Sequence, residues 1–463
     1  MIKRNIINNV LDAAMSRGGD FAEIFIEDRF NTAISLSSGD IEKSLSGRDF
    51  GVGIRIFKGL KSIYVYTNNV EEENLIKLAK EAALGLKKED VNKKIELMKI
   101  EVKNNHIIRK YPASVLSSEK IELMKRAYNK ANQYDELIKQ VKVNYMDYDK
   151  KIMIVNSEGL NKTDRRTRSR IFVTSIAEKD GEMQTGSDSI GAHKGFELYD
   201  GEVVDDVAIE ASRVAKAMIL ADKCPSGKMD VVIDNGFGGV IFHEACGHGL
   251  EATSVAKGNS VFAGKLGEKV ASEIVTAIDD GTLKNEWGSS NIDDEGNPTT
   301  KNILIENGIL KNYMVDKFNG RRMEMRATGS SRRQSYKYAP TSRMTNTYIA
   351  NGKSTKEEII KNTENGLFAR KMGGGSVNPM TGEFNFSVME GYIIKNGKIE
   401  RPVRGASLIG KGSEVLNRID MVGNNFKFGQ GMCGSISGSI PVNVGQPTIR
   451  VKDITVGGVK EAK

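Results

Sequence analysis

Apolar residues recur at helical spacing near the start of the chain, where Ile6, Ile7, Val10, Leu11 and Ala14 share one face before Gly18-Gly19 ends the pattern. This spacing predicts an amphipathic helix over residues 5–17. Alternation of apolar and polar positions then predicts strands over 21–28, 33–37, 50–57 and 62–67, separated by glycine and polar turn residues. Helical period returns over 70–86 and 118–133, and strand-like alternation over 137–147, 151–156 and 169–178. Val204, Val207, Ala208, Ala211, Val214, Ala215 and Met218 form one stripe of a long helix that stops before Cys224-Pro225-Ser226-Gly227. That break predicts a boundary between an N-terminal α/β region, 1–222, and a C-terminal region, 223–463, with room for a further break between two subdomains near 90–115. Beyond it glycine becomes frequent and short strand-like runs dominate, at 230–233, 302–306, 387–394 and 448–451. One helix candidate stands out among them, beginning near Gly238 and carrying Val240, Ile241, His243, Glu244 and Ala245. The pattern is that of an α+β protein, helix and antiparallel sheet first, β-rich second.

Composition narrows the function classes. The 463 residues exceed one ordinary domain, and 39% hydrophobic against 28% charged residues suits folded, water-soluble cores. Cys224, Cys246 and Cys433 are odd in number and far apart, which points to reduced thiols and a cytoplasmic setting. Asn8, Asn9 and Asp12 interrupt the start too soon for a secretory signal, and no run of about 18 apolar residues predicts a membrane span. The net charge of +8 comes from 68 basic and 60 acidic residues interspersed along the chain, so neither nucleic acid nor membrane is expected as a partner. In the densest basic stretch a strand would put Arg166, Arg168 and Arg170 on one face, read as a solvated face or subunit contact.

The chemistry concentrates in His243-Glu244-Ala245-Cys246-Gly247-His248, which holds two of only four histidines. Imidazole is a common zinc ligand, and a carboxylate beside it is placed to take a proton from metal-activated water. The spacing is i and i+5, which on a regular helix separates the two side chains by about 140° at about 100° per residue. Gly247 and Gly249 flank His248, so the helix is expected to distort or end there. Cys246 lies closer in angle to His243, and a catalytic zinc site needs a third protein ligand. Glu251 and Cys433, the latter within Gly429-Gln430-Gly431-Met432-Cys433-Gly434, are the further candidates.

The segment His243 to Glu251 resembles the His-Glu-x-x-x-His signature of the TldD branch of the TldD/PmbA family of metallopeptidases. The resemblance continues through Arg332-Arg333-Gln334-Ser335-Tyr336, Arg343-Met344-Thr345-Asn346-Thr347-Tyr348, Glu390-Gly391-Tyr392, Pro402-Val403-Arg404-Gly405-Ala406 and Val442 to Arg450, and more loosely from Gly51-Val52-Gly53-Ile54-Arg55. It implies zinc held by His243, His248 and Cys433, with Glu244 as general base. It also implies a barrel-like C-terminal domain carrying the site, and a homodimer or a heterodimer with a paralogous subunit that lacks the metal motif.

Residues 236–239 invite a dinucleotide-binding reading, but Ile241 stands where the third glycine belongs. Arg343, Thr345 and Asn346 carry hydrogen-bonding side chains suited to a peptide channel. Gly373-Gly374-Gly375 reads as a flexible turn. The expected function is zinc-dependent hydrolysis of small or unfolded peptides. The rivals are a non-peptide amide hydrolase using the same metal, distinguished by substrate, and a non-enzymatic scaffold with structural zinc. A closed site using Cys246 as well would mark the scaffold.

Overall fold

A computed structural model of the chain describes residues 2–86, 95–378 and 381–459. Long antiparallel strands organise its first half. β1 (Phe21–Ser37), β2 (Asp40–Lys58), β3 (Lys61–Thr67), β4 (Ile138–Asn156), β5 (Leu160–Lys179) and β6 (Glu182–Ala192) form a sheet in the order β3-β2-β1-β4-β5, with β6 and the short Met98–Lys99 segment both on β5. Even positions of β1 face the helices. At one end Ile24 and Ile26 join Ile54 and Ile56 beneath α1 (Arg4–Met15) and α2 (Glu72–Leu84). At the other, Ile34 and Leu36 join Val141, Val143 and Tyr145 beneath α3 (Ser117–Asn132) and α4 (Val203–Ile219). Each such buried Ile or Leu contributes about 1.5–3 kcal/mol.

Odd positions of β1 face the second half of the chain, and there the buried surface is charged. Arg55 on β2 meets Glu23 at 2.9 Å and Glu295 at 2.6 Å, while Arg333 reaches Glu23 at 2.6 Å. Phe25, Ile152 and Ile154 pack with Ile292 and Tyr336 beside these pairs. The basic stretch takes part in the same junction. Arg166, Arg168 and Arg170 do share a strand face, on β5, but not a solvated one: Arg166 and Arg168 are buried within the chain and Arg170 is half-buried. Arg166 bonds Asp294 at 2.6 Å, and Arg168 donates to the Trp287 carbonyl at 2.7 Å and Tyr148 Oη at 2.9 Å.

Two paired strand predictions merge, since 21–28 with 33–37 and 137–147 with 151–156 are single strands. Their polar middles broke the apolar alternation, yet those residues are matched across the ladder, as Asp28 is with Arg48 at 2.7 Å. Of the break expected near 90–115, residues 87–94 lie outside the described residues.

In the second half, β7 (Gly227–Ile233) leads to a helix, α5 (Val240–Ala245). Next come β8 (Ala277–Asp280), β9 (Lys301–Glu306), β10 (Asn346–Ile349), β11 (Asn365–Val377), β12 (Glu383–Lys395), β13 (Ser407–Lys411), β14 (Lys427–Ser435), β15 (Gly438–Gln446) and β16 (Ile449–Gly457). The order β11-β7-β16-β13-β12 closes on itself through β11–β12 pairing, giving the expected barrel with five strands. A neighbouring sheet runs β9-β8-β10-β15-β14, leaving β14 at the edge. Gly373-Gly374-Gly375 is no turn; it lies in β11 where the register with β12 shifts, as strand glycines often do at bulges. One apolar core joins barrel and sheet, and α5 is inserted into it through Val240, Ile241, Phe242 and Ala245. Among the described residues no helix is long and apolar enough to cross a membrane.

Candidate metal centre

The chain leaves β7 through a 3-10 turn, Phe237–Gly239, that leads directly into α5. A Cβ on Gly239 would lie 2.5 Å from the Gly445 backbone nitrogen, so glycine here serves close packing on β15. Helix α5 stops at Ala245: Cys246 adopts φ −131° and ψ −44°, and Gly247–Leu250 forms a second 3-10 turn. The break expected at His248 thus begins two residues earlier. It cancels the angular separation that a straight helix would impose, leaving the two imidazoles 5.2 Å apart between centroids and 83° between planes. Gly247 packs closely at the break: a Cβ there would lie 2.3 Å from Met344 Sδ, so the buried methionine would have to shift.

Strand β14 brings Cys433 to this point from the other side. Its Sγ lies 3.3 Å from His243 Nε2 and 3.3 Å from His248 Nε2, and the three atoms fall within 4.8 Å of one another. Among the described residues this is the one group of three or more such side chains arranged to share an ion. Zn–N of about 2.0 Å and Zn–S of about 2.3 Å in a tetrahedron separate N and S by about 3.5 Å, so the donor set and its spacing fit zinc.

Burial favours neutral His243, whose pKa falls well below the usual imidazole value, helped by His248 and Arg343. Burial acts the same way on His248, but Glu251 and Cys433 outweigh it and hold its pKa well above that value. Glu244 Oε2 lies 3.6 Å from His248 Nε2, and its side chain keeps 28% exposure. Burial raises its pKa above the ordinary glutamate value.

The remaining candidates stand apart from this group. Cys246 is in the apolar core, where burial pushes its thiol up. Glu251 turns its Oε2 to His248 Nδ1, at 3.2 Å, on the ring edge away from Cys433. Its i+3 spacing from His248 was the sequence signal for that contact. Arg343, Thr345 and Asn346, expected along a peptide channel, are buried at no more than 1% exposure. Arg343 donates to the Cys433 carbonyl, Thr345 to Asp279, and Asn346 to the Asp280 carbonyl and Ser289. In this structure these three side chains are therefore held by contacts within the protein.

Three family models match the chain: PmbA/TldA metallopeptidase domain 1 over residues 22–84, the central domain over 110–219 and the C-terminal domain over 226–458. A metalloprotease TldD homolog of Buchnera aphidicola subsp. Schizaphis graminum is 38% identical over 448 residues, covering 95% of this chain and 93% of that protein. The metalloprotease TldD homolog of Haemophilus influenzae is 37% identical over 462 residues, covering 97% and 95%. Among solved structures, TldE from Thermococcus kodakarensis has a TM-score of 0.78 at 18% identity, covering 98% of this chain and 100% of that one, a likeness of fold.

Proposed function

We propose, from the premise that the chain belongs to the PmbA/TldD metallopeptidase family, that it is a zinc peptidase acting on small or unfolded peptides. The observation that carries this reading is the convergence of His243 Nε2, His248 Nε2 and Cys433 Sγ, with the Glu244 carboxylate beside them. These three residues would hold zinc, which when bound supplies Lewis acidity and a water acidic enough to lose a proton near neutral pH.

Glu244 takes that proton on its carboxylate and delivers it to the leaving amine nitrogen. Its raised pKa suits the second transfer, because a carboxyl that holds its proton longer is a better acid toward the amine. The apolar surroundings of Cys246 favour an open site over a closed one with a fourth protein ligand. His243 and Cys433 are buried and Glu244 only part exposed, which suits a thin, extended chain better than a folded protein. In this reading residues 223–463 form the peptidase domain, and the working particle is a dimer with a second copy or a paralogous TldE-like subunit.

Metal analysis combined with Glu244→Gln tests the proposal. The purified protein should carry about one zinc per chain, and the variant should keep that metal while losing peptide hydrolysis. Full activity in metal-free protein, or in the variant, would refute the mechanism.

A further inference from the structure

We infer that Glu251 and Arg343 are positioning residues of the metal centre, the carboxylate selecting the His248 nitrogen that faces the ion and the guanidinium holding Cys433 at the matching depth. The inference rests on reading His243, His248 and Cys433 as ligands. Glu251 is 3% exposed and touches two groups besides His248. Its Oε2 accepts from His248 Nδ1 at 3.2 Å, which keeps a proton on Nδ1, so that Nε2, the nitrogen facing Cys433, is the one that would offer its lone pair to an ion. Its Oε1 accepts from the Met344 backbone N–H at 3.3 Å and lies 3.8 Å from Arg343 Nε.

Arg343, wholly buried, continues the contact to the other ligand. It donates to the Cys433 carbonyl at 2.6 Å, to Ser437 Oγ at 2.9 Å and to the Gly438 carbonyl at 3.0 Å, gripping both strands of the β14–β15 hairpin. One line of polar contacts therefore joins His248, Glu251, Arg343 and the Cys433 backbone, although the two ligands are 185 residues apart in sequence. His243 has no comparable support, since its Nδ1 is buried without a hydrogen-bond partner. The asymmetry has a physical reason: His243 is carried on helix α5, whereas His248 sits on a 3-10 turn beyond the helix break, where the backbone alone defines its ring less well. Neither positioning residue reaches substrate.

The test measures zinc affinity by chelator competition, the thermal melt of metal-free protein, and the spectrum of cobalt-loaded protein, for wild type, Glu251→Ala, Glu251→Gln and Arg343→Lys. Loss of such a supporting contact weakens metal binding about 10–100-fold, and Glu251→Ala should fall in that range. Glu251→Gln can accept from His248 or from Met344 but not both, so about a tenfold loss is expected from it, with the thiolate-to-cobalt band intact. Arg343→Lys cannot span both strands and should diminish that band. A structural role alone would lower the metal-free melting temperature and leave zinc affinity within about twofold of wild type, which would overturn the inference. If Glu251→Ala does not fold, the near-isosteric Glu251→Gln decides on the same criterion. Wild-type protein that binds no zinc would overturn the ligand reading, and this inference with it.

Discussion

Two histidines outside the metal centre should make the folded protein acid-sensitive. His106 and His193 stack with centroids 4.2 Å apart, where residues 104–110, the end of β6 and the loop after β8 meet. His106 Nδ1 accepts the Asn285 N–H at 3.0 Å, and His193 Nδ1 donates to the Ser289 carbonyl at 3.2 Å. Both Nε2 atoms are buried without a hydrogen-bond partner. A proton added to either ring becomes a charge in a buried site that already faces Arg168 and Arg166, with Asp164 opposing them at His106. Burial, reinforced by Arg168, pulls His106 from 6.5 down to about 4, and pulls His193 well below its usual value.

The sign follows from which state takes up protons. Below 6.5 the unfolded chain binds protons that folded His106 refuses, so stability falls with pH until the folded ring titrates near about 4. At about 1.36 kcal/mol per pH unit, that interval corresponds to roughly 3 kcal/mol for His106 alone. About 2 kcal/mol of it is lost between about pH 7.5 and about pH 5. His106→Gln can still accept the Asn285 N–H but cannot titrate. Urea unfolding of the metal-free protein at those two pH values should show wild type losing about 2 kcal/mol more than the variant, while contributions from other titrating groups cancel in the comparison. Equal losses in the two proteins would refute the argument, because His106 would then take its proton as readily folded as unfolded.

Cys433→Ala should lose most of its zinc affinity while Cys246→Ala binds like wild type, as read from metal content after dialysis. Normal zinc in the first and loss in the second would reverse the assignment. Gly247→Ala sets a methyl 2.3 Å from Met344 Sδ and should destabilise the metal-free protein by about 1–3 kcal/mol. Adding Met344→Ala should recover part of that loss, and a single variant that melts with wild type would show that the turn absorbs the methyl. Arg55→Met leaves Glu23 to Arg333 alone and takes from Glu295 its arginine at the junction between the halves, and should cost up to about 3–5 kcal/mol in urea unfolding. A loss below about 1 kcal/mol would mean that Arg333 and the remaining network neutralise both carboxylates.

Local pattern determined much of this molecule. The helical stripe of Ile7, Val10, Leu11 and Ala14 and the stripe of Val204, Val207, Ala208 and Ala211 each bury one face, and a buried face imprints its period on nearby sequence. The motif residues His243, Glu244 and His248 and the glycine beside the helix break were legible for the same reason, since they lie within six positions of one another. Tertiary structure decided what depends on distant partners. Polar stretches that looked like strand ends, around Asp28 and Lys150, are strand interiors because residues across the ladder match their charges. Arg166 and Arg168 are buried only because Asp294 and the Trp287 carbonyl come to meet them. Local spacing left Cys246, Glu251 and Cys433 as rival neighbours for the histidines; the fold brings the Cys433 sulfur to both Nε2 atoms, turns Glu251 to the opposite edge of one ring, and closes Arg343 off from solvent. Such contacts join positions far apart in the chain, whose spacing carries no period for a local reading to detect.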